Sequence, residues 1–203
     1  MELKMIAAVG KNNELGKDND LIWPIKEDLK FFKNVTTGHT VIMGANTFFS
    51  LPKVLPNRTN IVLSQDDITV PEGVILYHDL NKFLSDYKDK DEIVFVIGGG
   101  TIYRLFIDKV NEIYLTEIDE VCNDATVYFP TFDKALYDKE ILSENKENDI
   151  NNILDNNTKY SISKSGSYAT VELTSKVKFI TPFSNIFFKN DYNISTKRVI
   201  LYE

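Results

Sequence analysis

The sequence predicts an α/β protein with a central, mostly parallel β-sheet and flanking helices. Short apolar runs rich in β-branched residues recur along the first 118 positions, and stretches with apolar residues at helical spacing lie between them. The 203 residues are 43% hydrophobic and 12% aromatic, enough apolar side chain for one core of ordinary size.

The first strand is expected over residues 4–9, Lys-Met-Ile-Ala-Ala-Val. This opening run lacks a basic flank, a cleavage site and bilayer-spanning length, so it is expected to be neither leader nor anchor. Further strands are expected over 40–43, 60–63, 74–77, 92–97 and 112–118. A helix over 26–35 places Leu29, Phe32 and Val35 at helical spacing, and a short one follows over 45–51. Asp79 is suited to cap a third that carries Leu80, Phe83, Leu84 and Tyr87, and a fourth is expected over 101–107. From about Glu140, Asn, Lys and Asp crowd residues 143–152, which predicts a loop or a weak amphipathic segment. Apolar residues return over 169–179 and 186–188, and a last strand over 196–202 is expected to join the sheet edge antiparallel. With no linker composition and no repeat, one domain over 1–203 is expected, with an atypical extended segment at about 148–190.

Composition excludes several functions. A formal charge of −7 lacks the basic face that a nucleic-acid binder needs. The single cysteine, Cys122, excludes an internal disulfide and suits a cytoplasmic, reducing compartment. A small buried residue is the favoured reading for it over a reactive thiol. His39 and His78 are isolated and no Cys or His cluster has ligand spacing, so no metal site is expected.

Four features carry candidate chemistry. The apolar run 93–97 enters Gly98-Gly99-Gly100 and then Thr101-Ile102-Tyr103, with three of the nine glycines in one turn. Such a turn either lets backbone amides cradle a diphosphate or is a plain tight turn, and Tyr103 stands where a Rossmann fingerprint has its third glycine. Asp28 follows the only tryptophan, Trp23, and shares a helix face with Phe32 and Val35. Its carboxylate either meets a ligand donor or, with Glu27, complements the helix dipole as a first-turn acid. Arg58, in Leu55-Pro56-Asn57-Arg58-Thr59-Asn60, either presents its fork to a carboxylate or is a solvated turn residue. In Tyr114-Leu115-Thr116-Glu117-Ile118-Asp119, strand alternation faces Thr116 away from Leu115 and Glu117.

Taken in order, these segments resemble dihydrofolate reductase. The resemblance is carried by Ile6-Ala7-Ala8-Val9, Leu15-Gly16-Lys17-Asp18-Asn19, Trp23 with Asp28 five residues on, and Val41-Ile42-Met43-Gly44. It continues through 55–60, Ile97-Gly98-Gly99-Gly100 with Tyr103, and Leu115-Thr116-Glu117-Ile118-Asp119, covering roughly residues 3–134 and returning in the last strand. It implies that family's three-layer fold and the reduction of 7,8-dihydrofolate by NADPH, in a cytoplasmic protein that is monomeric or that associates through the long C-terminal segment. It implies a catalytic group of Asp28, Trp23, Tyr103 and Thr116. Asp28 would accept hydrogen bonds from the pteridine, and the proton would come through water near Trp23. The substrate pocket would comprise Ile6, Asp28, Leu29, Phe32, Ser50, Leu51, Leu55, Ile97 and Thr116, with Arg58 on the glutamate carboxylate and Lys33 and Lys53 adding charge. Cofactor contacts would come from Ala8, Leu15, Gly16, Lys17, Asn19 and Asp20, from Gly44, Ala45, Asn46 and Thr47, and from Leu63, Ser64, Gln65 and His78. Gly98, Gly99, Gly100, Thr101, Ile102 and Tyr103 would complete them, with the Gly98–Gly99 bond cis, and residues 16–23 would form a mobile closing loop.

The chain departs from the family at Ala45, where an arginine usually holds the cofactor's 2′-phosphate, and at Gln65 and Thr101, which are frequently basic. His78 and Ser64 remain at that end, so NADH is expected as a possible second cofactor. Ile22 precedes Trp23 where proline is common, and Pro24 follows it. Two other readings remain: a same-fold reductase of a pyrimidine in riboflavin synthesis, and a binding or scaffold protein without turnover. Asp28 with Arg58 favours folate over the first, and Trp23, Asp28, Tyr103 and Thr116 together speak against the second.

Overall fold

The computed structural model describes residues 1–145, 160–165, 168–173 and 196–202. The chain divides into two compact units, Met1–Ser143 with Lys197–Glu203, and Glu144–Thr196. The strands are β1 (Glu2–Val9), β2 (Glu14–Lys17), β3 (Asp20–Leu21), β4 (Thr40–Gly44), β5 (Thr59–Leu63), β6 (Val74–Tyr77) and β7 (Ile93–Val96). They continue with β8 (Glu112–Ile118), β9 (Val127–Tyr128), β10 (Asp138–Asn145), β11 (Tyr160–Ser165), β12 (Tyr168–Leu173) and β13 (Thr196–Tyr202). The helices are α1 (Lys26–Thr36), α2 (Ala45–Ser50), α3 (Leu80–Tyr87) and α4 (Gly100–Phe106).

An eight-stranded sheet in the order β10-β13-β8-β1-β7-β4-β5-β6 forms the frame. From β8 to β6 every pairing is parallel, with Met5 opposite Val96 on one side and Ile113 on the other. Both faces of such a sheet must be covered, and the residues alternate between two cores accordingly. Met5, Ala7, Val9, Ile42, Ile61, Leu63, Val94 and Val96 join the core that includes Phe83 of α3 and Ile102, Tyr103 and Phe106 of α4. Ile6, Val41, Met43, Val62 and Phe95 point into the other, where Phe31, Phe32 and Val35 of α1 and Phe48 of α2 pack. Asp79 caps α3 by accepting from Lys82 N at 2.7 Å, as its sequence position predicts.

The predicted strands and helices are all present within two residues at each end. Three pieces are additions to that reading. β2, β3 and β9 form a small sheet in the order β3-β2-β9 beside the predicted closing loop. Residues 143–145, expected as a loop or a weak amphipathic segment, extend β10, an outermost strand whose Ile141 and Leu142 are 53% and 39% exposed, so it offers no one-sided pattern. In the second unit β11 and β12 form an antiparallel hairpin, Tyr160 opposite Leu173 and Ser165 opposite Tyr168. The apolar run 186–188, and 174–179 of the run before it, lie outside the described residues.

The winding of the sheet positions the site. From β4 the chain moves outward through β5 and β6, then β7 returns between β1 and β4, and β8 lands on the far side of β1. The carboxyl ends of β1, β4 and β7 therefore meet where the winding reverses, the place where open parallel sheets leave a crevice for ligands. Among the described residues no helix is long and apolar enough to cross a membrane.

Candidate active site

At this reversal four elements bring together residues far apart in sequence. Asp28, in the first turn of α1, meets Thr116 of β8, whose hydroxyl donates to Asp28 Oδ1 at 2.6 Å. Thr116 is buried and Asp28 is half-buried at the core's margin. Tyr103 of α4 donates its hydroxyl to Ile6 O at 2.7 Å, which ties the middle of β1 to α4. Burial, and then the nearby negative charge of Asp28, hold the Tyr103 phenol far above its ordinary pKa, so it remains a neutral donor. Asp28 thus lies in the acidic first turn of α1 and also accepts from a buried polar partner.

The glycine turn packs against this group. The Gly98–Gly99 peptide is cis, and Gly98 has φ of 117°. A Cβ at Gly98 would lie 3.2 Å from the Tyr103 ring, one at Gly99 3.1 Å from Thr47 Oγ1, and one at Gly100 2.9 Å from Val127. Gly44 N donates to Gly98 O at 2.8 Å, and Ile102 approaches Gly44 so closely that a Cβ there would stand 3.0 Å from it. The turn therefore packs closely against Tyr103, Thr47 and Val127, and α2 begins just after Gly44.

Beyond the turn, His78 Nδ1 lies 2.9 Å from Ser64 O and Nε2 lies 3.8 Å from Asp67, on an exposed rim with Gln65. Thr101 Oγ1 accepts from Arg104 at 3.1 Å, and Asn46 is exposed. Leu63 is buried, while Ala8, Ala45 and Thr47 are half-buried. In the small sheet, Leu15 packs on the α4-side core, Gly16 O accepts from Thr126 N, and Lys17 pairs with Asp124. Asn19 and Asp20 are exposed at the β2–β3 turn, where Asp18 and Asn19 have positive φ.

On the α1 side, Arg58 is held in a built loop. Its Nε donates to Pro56 O at 3.1 Å and its Nη1 to Thr36 Oγ1 at 2.9 Å, and its guanidinium lies 5.8 Å from the centre of the Phe32 ring. Asn60, 2% exposed, supports the loop by donating to Leu55 O and Arg58 O, both at 2.9 Å. Burial lowers the Arg58 pKa, but guanidinium remains a cation at neutral pH. Phe32, Leu51 and Leu55 pack with the α1-side core, and Ile97 packs there too. Lys33 and Lys53 are exposed, and Ser50 Oγ donates to Thr47 O at 2.9 Å. Leu29, expected with the apolar face of α1, is 44% exposed and stands apart from that packing.

Three supporting residues have no part in the sequence reading: Thr36 behind Arg58, Asp124 opposite Lys17, and Glu14, a carboxylate only 1% exposed. All three depend on pairings between distant segments. In the sequence Asn60 shows only as the close of the Arg58 turn, without the support it gives that loop.

A family model described as dihydrofolate reductase matches residues 2–162. Dihydrofolate reductase of Haemophilus influenzae is 40% identical over 130 residues, 64% of this chain and 79% of that protein. Dihydrofolate reductase type 3 of Salmonella typhimurium is 39% identical over 132 residues, 65% of this chain and 80% of its own length. The enzyme of Staphylococcus aureus is 37% identical over 132 residues, with the same two shares. A solved structure of Enterococcus faecalis dihydrofolate reductase, complexed with NADP(H) and RAB-propyl, superimposes with a TM-score of 0.67. The match covers 99% of this chain and 95% of that one at 21% identity, a likeness of fold.

Proposed function

The chain belongs to the dihydrofolate reductase family, and from that premise we propose that it reduces 7,8-dihydrofolate to 5,6,7,8-tetrahydrofolate with NADPH. The observation that carries this reading is the Thr116–Asp28 hydrogen bond of 2.6 Å at the winding reversal, beside Tyr103 and the glycine turn. A carboxylate accepts about four hydrogen bonds. One from Thr116 is compatible with two more from the amino group and ring N–H of a pteridine. Thr116 fixes the plane of the carboxylate, and the anion raises the basicity of the ring nitrogen that takes up the proton. Trp23, near the end of β1, helps hold the water that delivers it.

Ile6, Ile97 and Tyr103 flank the plane in which the two rings stack, and Phe32, Leu51 and Leu55 wall the aminobenzoyl end, with Leu29 and Ser50 at its mouth. Arg58 receives the substrate's α-carboxylate. Two of its five N–H groups are committed to Pro56 and Thr36, which orients the remaining edge of the fork. Lys33 and Lys53 add positive charge at the rim.

The diphosphate is held at the turn of Gly98, Gly99 and Gly100, where a side chain at Gly99 would stand 3.1 Å from Thr47 Oγ1. Gly44, Ala45, Asn46, Thr101 and Ile102 border it. Leu63, Ser64, Gln65 and His78 hold the adenosine end, and Ala8, Leu15, Gly16, Lys17, Asn19 and Asp20 the nicotinamide end. When bound, the cofactor supplies the hydride. The protein's part is to hold two rings in contact, the source of much of the rate gain in such reactions. A small-molecule substrate and the acidic charge fit a cytoplasmic monomer.

The test is loss of reduced-nicotinamide absorbance on adding dihydrofolate; a folded protein that gives no turnover would sink the proposal. A second expected result concerns the cofactor. Ala45, Gln65 and Thr101 supply no cation to a 2′-phosphate, and His78 already meets Ser64 O and Asp67. One charge-assisted contact is worth about 1.5–3 kcal/mol. A thousandfold preference needs about 4 kcal/mol. The ratio of kcat/KM for NADPH over NADH is therefore expected below about a thousandfold, and a larger ratio would show a phosphate anchor elsewhere.

A further inference from the structure

Glu14 has no part in the chemistry above, yet among the described residues it is the one carboxylate buried to the degree of the core. An ionised carboxylate leaves water only where other donors replace it. Asn12 N donates to Oε2 at 2.7 Å, Asn12 Nδ2 to Oε1 at 3.1 Å, and Cys122 N to Oε1 at 3.2 Å. Burial pushes the carboxyl pKa up, but the amides of Glu14, Asn12 and Cys122 and the Asn12 side chain outweigh it and hold it below the ordinary value. None of these partners is a cation, so the carboxylate bonds here through directed donors.

Those donors come from two segments. Asn12 belongs to the turn between β1 and β2, while Cys122 lies 108 residues beyond Glu14, after β8. The same two segments are joined by Lys11 N to Glu120 O at 2.9 Å and by Phe129 N to Asn13 O at 2.8 Å. At their junction sits Gly10, where a Cβ would lie 2.5 Å from Trp23 Cη2, 2.6 Å from Glu14 Oε2 and 3.0 Å from Glu120 O. The indole edge, the buried carboxylate and the chain after β8 thus close on one residue without a side chain. Glu14 also begins β2, whose partner β3 leads directly to Trp23.

We propose that Glu14 is a positioning residue for hydride transfer: its carboxylate ties the β1–β2 turn to the chain after β8 and so fixes the Trp23 indole at the site. The proposal rests on the reductase reading, and Trp23, the only tryptophan, gives it a readout independent of turnover. Glu14→Gln keeps the shape but replaces one acceptor oxygen with an NH₂ group that faces an N–H donor. With dihydrofolate and NADPH, kcat is expected to fall by about tenfold to a hundredfold, the scale of a misplacement near one ångström. The KM for dihydrofolate should stay within about twofold, as for a contact that acts in the transition state. Trp23 emission should shift to longer wavelength and be quenched more readily by acrylamide.

A kcat within about twofold of wild type, or an unmoved emission in the folded variant, overturns the proposal, even if the variant is less stable. Should Glu14→Gln fail to fold, Asn12→Ala removes one exposed donor and leaves both backbone amides. A fall in kcat of about threefold with the same direction of emission shift is then expected, and no shift overturns the proposal. If the wild type does not turn over dihydrofolate, the reductase reading fails by itself. The emission comparison then decides whether Glu14 sets Trp23, and an unmoved spectrum rejects it.

Discussion

Asp28→Asn is expected to lower kcat/KM for dihydrofolate at neutral pH by about a hundredfold to a thousandfold, the cost of losing one electrostatic contact aimed at developing charge. The substitution is nearly isosteric, and the asparagine carbonyl can still accept from Thr116, whose bond to Oδ1 is 2.6 Å in the wild type. Shape and the bond between α1 and β8 are kept while the negative charge is lost, so the fall reports charge. Thr116→Val removes the hydrogen bond and keeps the charge, and its expected effect is smaller, about five- to thirtyfold, in line with about 1–2 kcal/mol for one such bond. A diaminopyrimidine, protonated and paired with the carboxylate, should also bind the Asp28→Asn protein more weakly. Full activity of Asp28→Asn would remove Asp28 from the role proposed for it.

Phe83→Ala should destabilise the fold by about 3–5 kcal/mol, a large share of the roughly 5–15 kcal/mol that holds a domain folded. The Phe83 ring is fully buried and meets three others, Tyr87 at 4.9 Å, Tyr77 at 5.6 Å and Phe106 at 6.0 Å between centroids. It joins α3 to β6 and α4, so its loss leaves a cavity with rigid aromatic walls that cannot easily collapse. The urea midpoint should fall with little change in slope. A midpoint displaced by less than the equivalent of about 1 kcal/mol would mean that α3 is not part of the cooperative unit.

The parts of the fold that the sequence made legible are those with a pattern imposed by burial. Strands covered on both faces, such as β4 and β7, consist almost wholly of apolar residues, and Val74–Tyr77 and Glu112–Ile118 match their predicted bounds. β2, β3 and β9 are two to four residues long, too short for any period to register. β10 escaped because neither face is consistently buried. In the site, the Trp23, Asp28, Tyr103 and Thr116 set is visible only as an ordered series of motifs, because Asp28 alone is an ordinary first-turn acid. Leu29 satisfies helical spacing and still faces solvent, since spacing defines a stripe but not its width. Glu14 was illegible for a different reason: a glutamate between two short turns resembles any surface acid until Cys122 and Gly10 are seen beside it.

The place of β1 in the sheet also governs the order in which this protein can assemble during synthesis. β1 is made well before its neighbours β7 and β8, which follow about ninety and about a hundred and ten residues later, as Met5 pairs with Val96 and Ile113. Closing loops of that length costs entropy before any contact repays it. A nascent chain that has emerged only as far as β6 holds β4, β5 and β6 in ribbon order but leaves an apolar strand at its start without a partner. Asp28 and Thr116 meet only once β8 has left the ribosome, so until then the growing chain exposes the very strand around which its finished site is arranged.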